Sequence, residues 1–455
     1  MANVIRLLAL ALSVALPAAA EEPGTAPPPA RAQGGLTLAD CVARAVAGSG
    51  RVSEAKGKLA EWQARLEEAR SVWYPKLSGT AVAAPTFAVK GSVLDPDTQP
   101  DYTHWGPYLR IDALLVQPVY TFGRADAGEK AAGARVEVER NQVEVVKRAV
   151  AIEVARYYYL HLYAKGVQPT LESIRKTIDE AQAKAQSMFD AHSGGITSVD
   201  LMKLKVGATE LEKFRVQAEI GAGLALVALK HTMGMAAEEP LALIADGLPA
   251  DDGAEPAPLE DLVKLALDRR PETAQLRHGK KAAEELERME GKGDLPVLAL
   301  VGQLTAAWSP VRADATNPYV YDPYNEKTAG VGLAIKFDLD PWRTHARADG
   351  ARGVEAQVDG LTRYAATGIP AEVHQARDEV LQARRLVALS QESSSAARRW
   401  MIFATNAYGT GTGETRDVLE GVNAYAQARK GYFDALLALH VARANLDLAT
   451  GAPLP

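Results

Sequence analysis

The sequence predicts a mainly helical chain with a small β part, built as two copies of one unit. Three observations carry that reading. A short alternating stretch runs into a helical run of about 65 residues after Arg124, on the order of 100 Å at the helical rise. The run reads as unbroken. The same succession returns after Arg343, and markers along the first occurrence reappear at a nearly constant distance in the second.

Taken in order, Met1 to Ala20 has the form of a secretory signal peptide. Arg6 supplies the positive start, Leu7 to Leu16 the apolar core, and Ala18-Ala19-Ala20 a small-residue cleavage site. That core is too short to span a bilayer as a helix. Glu21 to Gly35, rich in Pro, Ala and Gly, reads as an extended N-terminal lead. The one cysteine, Cys41, falls in an amphipathic helical pattern and reads as a buried helix residue, so no disulfide forms within the chain.

A net charge of -6 with 24% charged residues leaves no basic footprint for nucleic acid. Beyond the signal, no apolar run reaches the length of a membrane helix. An exported chain of this kind is periplasmic, secreted, or a β-barrel of the outer membrane, whose strands escape hydropathy because only alternate residues face lipid.

The repeat is explicit. Leu38-Ala39-Asp40-Cys41-Val42 matches Leu259-Glu260-Asp261-Leu262-Val263 at an offset of 221 (261 minus 40), which Pro75 and Pro296 keep. Arg124 and Arg343 differ by 219, and Gly194/Gly411 and Asp200/Asp417 both by 217. Residues 36–235 and 259–455 are therefore two structural repeats, joined by a Pro-, Gly- and acid-rich connector at 236–258.

Each copy is expected to run helix, strand, loop, strand, long helix, turn, helix. The first has a helix from Leu36 to Trp73 with a break at Gly48 to Gly50, and strands at Tyr74 to Val89 and Gly106 to Val116. A long helix from Arg124 to about Ala191 follows, returning from Thr197. The second has one helix from Leu259 to Glu290, strands at Pro296 to Trp308 and Thr328 to Asp338, and a long helix from Arg343. That helix is expected to break or kink near Gly368-Ile369-Pro370 before the return from Thr415.

The strands discriminate best. Leu109, Ile111, Ala113 and Leu115 alternate with Arg110 and Asp112, and Ala329, Val331, Leu333, Ile335 and Phe337 alternate with small or polar residues. Period-2 alternation gives one apolar and one polar face, in a soluble sheet or in a barrel. Four such strands cannot close a barrel alone, so several chains would contribute. Trp105, Tyr108, Trp308, Tyr319, Tyr321 and Tyr324 cluster at one end of the strands, as in an aromatic girdle. In the first long helix, Ala131, Ala134, Val138, Val145, Ile152 and Ala155 supply small or apolar positions for helix packing.

This layout resembles the TolC-type outer-membrane efflux proteins over about residues 36 to 450. The resemblance is carried by Leu36-Thr37-Leu38-Ala39-Asp40, by the junction Gln117-Pro118 through Gly123-Arg124, and by the two helix turns. It implies a homotrimer whose chains give four strands each to a twelve-stranded barrel, continuous with a periplasmic α-helical barrel, the connector lying at its equator. It also implies a passive exit channel for a tripartite efflux pump or a type I secretion system, working with a periplasmic adaptor and an inner-membrane pump, without enzymatic activity or cofactor. The second junction, Phe337 to Arg343 with Pro341, departs from the first: Pro118 aligns with Phe337 and Gly123 with Trp342. The strand-to-helix junction residues are thus Pro118, Gly123, Arg124, Pro341 and Arg343.

The turns Phe189 to Leu201 and Tyr408 to Leu419 lie at the far end of the long helices. By the resemblance this is the periplasmic tip, where the tunnel narrows and the adaptor docks on residues such as Gly194, Gly195, Tyr408, Gly409, Gly411 and Gly413. Asp417 and Glu420, three apart on one helix face, match the family's paired constriction acids, and in a trimer would form two acidic rings that favour cations. Asp200 matches Asp417, but Lys203 stands in the place of Glu420. The competing role for Asp417 and Asp200 is helix N-terminal placement against the dipole. The tip is expected to be closed at rest and to open when the helix pair on the Tyr408 side moves outward.

Other motifs fall away. Gly409-Thr410-Gly411-Thr412-Gly413-Glu414-Thr415 lacks the Gly-Lys-Ser/Thr ending of a phosphate loop. The eight histidines show no ligand spacing, and Tyr157-Tyr158-Tyr159 reads as packing. A different class, a periplasmic adaptor or structural coiled coil without channel activity, explains long helices, yet an adaptor carries one helical hairpin and this chain carries two.

Overall fold

The computed structural model describes residues 35–90, 98–192, 196–313, 319 and 321–453. The signal peptide, nearly all of the N-terminal lead, Gly194 and Gly195 lie outside the described residues. Within them run α1 (Leu38–Gly48), α2 (Gly50–Arg70), β1 (Lys76–Lys90), β2 (Gln99–Tyr120), α3 (Arg124–Asp190) and α4 (Ser198–Thr232). The second set is α5 (Leu259–Arg269), α6 (Pro271–Glu290), β3 (Val297–Trp308), β4 (Lys327–Lys336), α7 (Pro341–Gly409) and α8 (Thr415–Thr450).

Local chemistry sets the short helices. Thr37 caps α1 in a reciprocal box with Asp40. Ser49, at φ -67 and ψ 129, then separates α1 from α2. The second repeat has the same break at Arg270, φ -65 and ψ 130, so the single helix expected from Leu259 to Glu290 is two. The cause is Pro271, which drives the residue before it out of the helical region and then opens α6. Cys41, Val42 and Ala45 of α1 pack on Val150, Val154 and Leu162 of α3, on Leu229 of α4 and on Met233, its C-cap. Cys41 is fully buried, and burial pushes its thiol up to about 12.

The two long helices have 67 and 69 residues, about 100 Å each. Neither is free of proline. Pro169 sits inside α3, and Pro370 inside α7, which runs on without the break expected there. Packing overrides the lost backbone bond. Ile369 and Val373 are buried with Ala266 of α5 and Leu436 and Leu439 of α8, which hold the turn around Pro370 in place. Thr367 Oγ1 also donates to the Tyr364 carbonyl at 3.2 Å. In α3 the buried stripe is Val136, Val143, Val150 and Val154, with Ala134 and Ala155. Val138, Val145 and Ile152 flank it, half-buried.

The strands form one antiparallel sheet in the order β1-β2-β3-β4, open at both edges. β2 is longer than expected, so Trp105 lies within a strand rather than in a connection, and Pro118 is still paired, opposite Ala299. Register settles the faces. One row reads Leu77, Leu115, Gly302, Val331, and another Gly79, Ala113, Leu304, Ala329. On the opposite face one row reads Thr80, Asp112, Thr305, Thr328. The apolar face stays exposed along Leu77, Leu109, Ile111, Leu304, Val331 and Leu333.

The junction proper is three residues, Thr121 to Gly123. The Thr121 carbonyl accepts from Arg124 N at 3.0 Å and its Oγ1 from Ala125 N at 3.2 Å. Gly123 takes the left-handed φ of 79 as N-cap of α3. Gln117 Nε2 donates to the Trp73 carbonyl at 2.6 Å, tying the junction to the 3-10 turn that follows α2. In the second repeat the N-cap is Asp340, whose carboxylate accepts from Arg343 N, and Pro341 takes the first helical position. The structural counterpart of Gly123 is therefore Asp340 rather than Trp342, an offset of 217 (340 minus 123). The N-caps Thr197 and Glu414 keep 217, while the breaks at Ser49 and Arg270 keep 221. The length change lies wholly within the strand hairpins.

Candidate functional site: the helix turns at the end of the long helices

At the end remote from the sheet the two hairpins share one core. Ile174, Ile178, Ala181 and Ala185 of α3 meet Leu204 of α4, Met401 and Tyr408 of α7, and Val418 and Val422 of α8. The turn after α7 is closed by converging backbone bonds. Thr412 N and Gly413 N both donate to the Ala407 carbonyl at 3.0 Å. Gly411 has φ +78, and a Cβ on Gly413 would lie 2.8 Å from Tyr408 N, so this turn requires both glycines. Nothing crowds Gly409. Tyr408 is 2% exposed, and its hydroxyl accepts from Thr415 Oγ1 at 3.5 Å. It props the turn from inside and offers no surface.

The two aspartates paired by the repeat do different things. Asp200 closes a capping box with Thr197. It accepts from Thr197 N at 3.1 Å and Thr197 Oγ1 at 2.6 Å, and its own N–H donates back to Thr197 Oγ1 at 3.3 Å. Lys203 lies 3.4 Å away. These bonds, Thr197 first, hold its carboxyl below the ordinary range. Asp200 is thus fully engaged in starting α4.

Asp417 sits at the same point of α8, where Glu414 makes no side-chain cap. Its carboxylate is exposed and has no hydrogen bond or ion pair among the described residues. Glu420 is exposed too, but accepts from Arg416 Nε at 2.6 Å. Of the two acids Asp417 and Glu420, only Glu420 is held in an ion pair. Arg416 escaped the sequence reading, although its spacing of four from Glu420 is a helical ion-pair spacing.

Two exposed apolar stripes lead away from the tip. On α4 they are Val199, Met202, Val206, Val216, Ile220 and Leu224; on α7, Leu386, Leu389, Trp400 and Phe403. Their spacings compose from threes and fours, the seam of a helix that packs against another. Among the described residues no group of His, Cys, Asp and Glu could hold a metal ion. No helix there is long and apolar enough to cross a membrane.

This geometry has known counterparts. Residues 262–452 match the family described as outer membrane efflux protein. Among solved structures, the outer-membrane channel OprN is 16% identical, with 92% of this chain and 90% of that chain covered at a TM-score of 0.75. The Campylobacter jejuni CmeC outer membrane channel is 14% identical, covering 91% and 85% at 0.75. The outer membrane protein VceC of Vibrio cholerae is 16% identical, covering 92% and 97% at 0.72. At such identities the likeness is one of fold. No curated protein matches the sequence. The fold is therefore the one these outer-membrane channels share along the chain, and residues 262–452 match the outer membrane efflux protein family.

Proposed function

We propose that three copies of this chain close into an outer-membrane exit channel for a tripartite efflux system, with a barrel in the membrane and a helical tunnel in the periplasm. The carrying observation is the four-stranded sheet, exposed on an apolar face and, among the described residues, with no strand beside either edge, β1 or β4, where only Val89 of β1 bridges to Arg312. Leaving such a face in water forgoes about 1.5–3 kcal/mol per large side chain, and unpaired edges invite strands. β4 of one copy beside β1 of the next continues the antiparallel order, and three copies of four strands give twelve. The stripes on α4 and α7 supply matching helix contacts between neighbours in the tunnel wall.

In this assembly the polar sheet face lines the lumen, and the turns bearing Asp417 and Glu420 meet around the axis as the gate. The α7–α8 pair moves outward to open it, and the turn glycines Gly409, Gly411 and Gly413 lie where a periplasmic adaptor docks. The channel is passive and catalyses no reaction; an inner-membrane pump supplies the energy. The two hairpins per chain speak against a single-hairpin adaptor.

Fractionation tests the assembly. The full chain, run unheated in denaturing gels, is expected as a heat-dissociable trimer in the outer-membrane fraction. A soluble monomer contradicts the proposal.

A further inference from the structure

The polar face of the sheet is almost free of charge. Among the described residues of its paired rows between Tyr108 and the helix end, Lys76 and Lys336 sit at that end, and Arg110 and Asp112 stand alone further out. Their neighbours across the strands are Val82, Ala307, Thr80 and Thr305. Arg110 is held in a fork, Nε and Nη2 donating to the two Asp112 oxygens at 2.8 and 2.9 Å. Asp112 also accepts from Thr305 Oγ1 at 2.9 Å. The third arm of Arg110, Nη1, reaches Glu326 Oε2 at 3.4 Å, just before β4. Two rows nearer the mouth, Arg312 lies between the rings of Phe87 at 4.4 Å and Tyr324 at 4.1 Å, and donates to Thr86 Oγ1 at 3.2 Å. Arg110 thus stands between the carboxylates of Asp112 and Glu326.

We infer that Arg110 is a selectivity-determining residue of the outer lumen: its guanidinium offsets the carboxylates of Asp112 and Glu326 on the wall and so restrains the cation preference of that stretch of the barrel. This rests on the reading that the polar face lines a conducting lumen. The physical reason is geometric. A fork bound to Asp112 and shared with Glu326 keeps the guanidinium at the wall, where its field offsets part of theirs within a Debye length. Neutralising one partner shifts the charge there by one on each chain, hence by three around the trimer.

The test is reversal potential in planar bilayers under a KCl gradient at low ionic strength, on trimers verified by their heat-dissociable gel band. Arg110→Gln is expected to raise the cation-to-anion permeability ratio by about twofold, and Glu326→Gln to lower it by about as much. Arg110→Lys keeps the charge without the fork and is expected to hold the wild-type ratio. Equal ratios in all variants, shifts of the same sign in both glutamine variants, or a lysine variant that behaves as the glutamine one each overturn the inference while leaving the channel intact. A chain recovered only as a soluble monomer overturns the channel reading and this inference together.

Discussion

Arg416 Nε donates to Glu420 Oε1 at 2.6 Å, so one of the two acids at the start of α8 carries its own counter-charge while Asp417, one residue from Arg416, carries none. The tip is therefore less acidic than two carboxylates per chain suggest. Arg416→Ala is expected to raise the cation preference of the trimer by unmasking Glu420, with helical content unchanged. Reversal potentials on the variant decide it, and an unaltered preference would place the pair outside the conduction path.

Asp200 presents the contrasting case. Its bonds to Thr197 begin α4, and its removal is expected to cost about 1 kcal/mol in thermal melts, as lost caps do, with no change in ion preference. The sign of its pH dependence follows from a folded pKa lowered from 3.8. The stabilisation is complete above the unfolded value and is lost as pH falls through the folded one. Asp200→Ala should therefore differ most from wild type above the ordinary carboxylate range, and the difference should shrink in acid.

The turn after α7 offers a glycine series. Gly411→Ala forces a side chain into the left-handed region and is expected to cost roughly 1–2 kcal/mol. Gly413→Ala brings a Cβ to 2.8 Å from Tyr408 N and should shift the turn itself. Gly409→Ala meets nothing and should be neutral or slightly stabilising. Melting temperatures in detergent rank the three, and an equal effect from all of them contradicts this turn geometry.

His440 links the connector to the helices. Its Nε2 lies 2.9 Å from the Pro249 carbonyl and its ring stacks on Tyr159 at 4.6 Å. Burial, above all, depresses its pKa from 6.5. As pH falls through 6.5 the unfolded chain takes the proton first, so stability drops until the folded value is reached. His440→Gln is expected to flatten the loss of stability as pH falls below 6.5, read from melts across that fall.

Much of this was legible because it is local. Leu38 to Val42 repeat as a helix start, Leu109 to Leu115 alternate as a strand, and Asp200 reads as a carboxylate at a helix N-terminus. Proline was not legible in the same way. Pro271 ends one helix and opens another, whereas Pro169 and Pro370 lie inside helices, and the packing that holds Ile369 and Val373 decides the latter. Nor could spacing reveal that Arg110 meets Glu326 across 216 positions, since a sheet register and a folded connection bring them together. At the tip, the repeat paired Asp200 with Asp417, but only the neighbouring cap residue, Thr197 against Glu414, separates a helix cap from a free acid.

Planar-bilayer recording of the purified trimer, wild type against Asp417→Ala combined with Glu420→Ala, tests the central claim most directly. Wild type is expected to give discrete, cation-preferring steps, and the double variant to lose that preference with altered conductance. A double variant identical to wild type in conductance and preference contradicts the account.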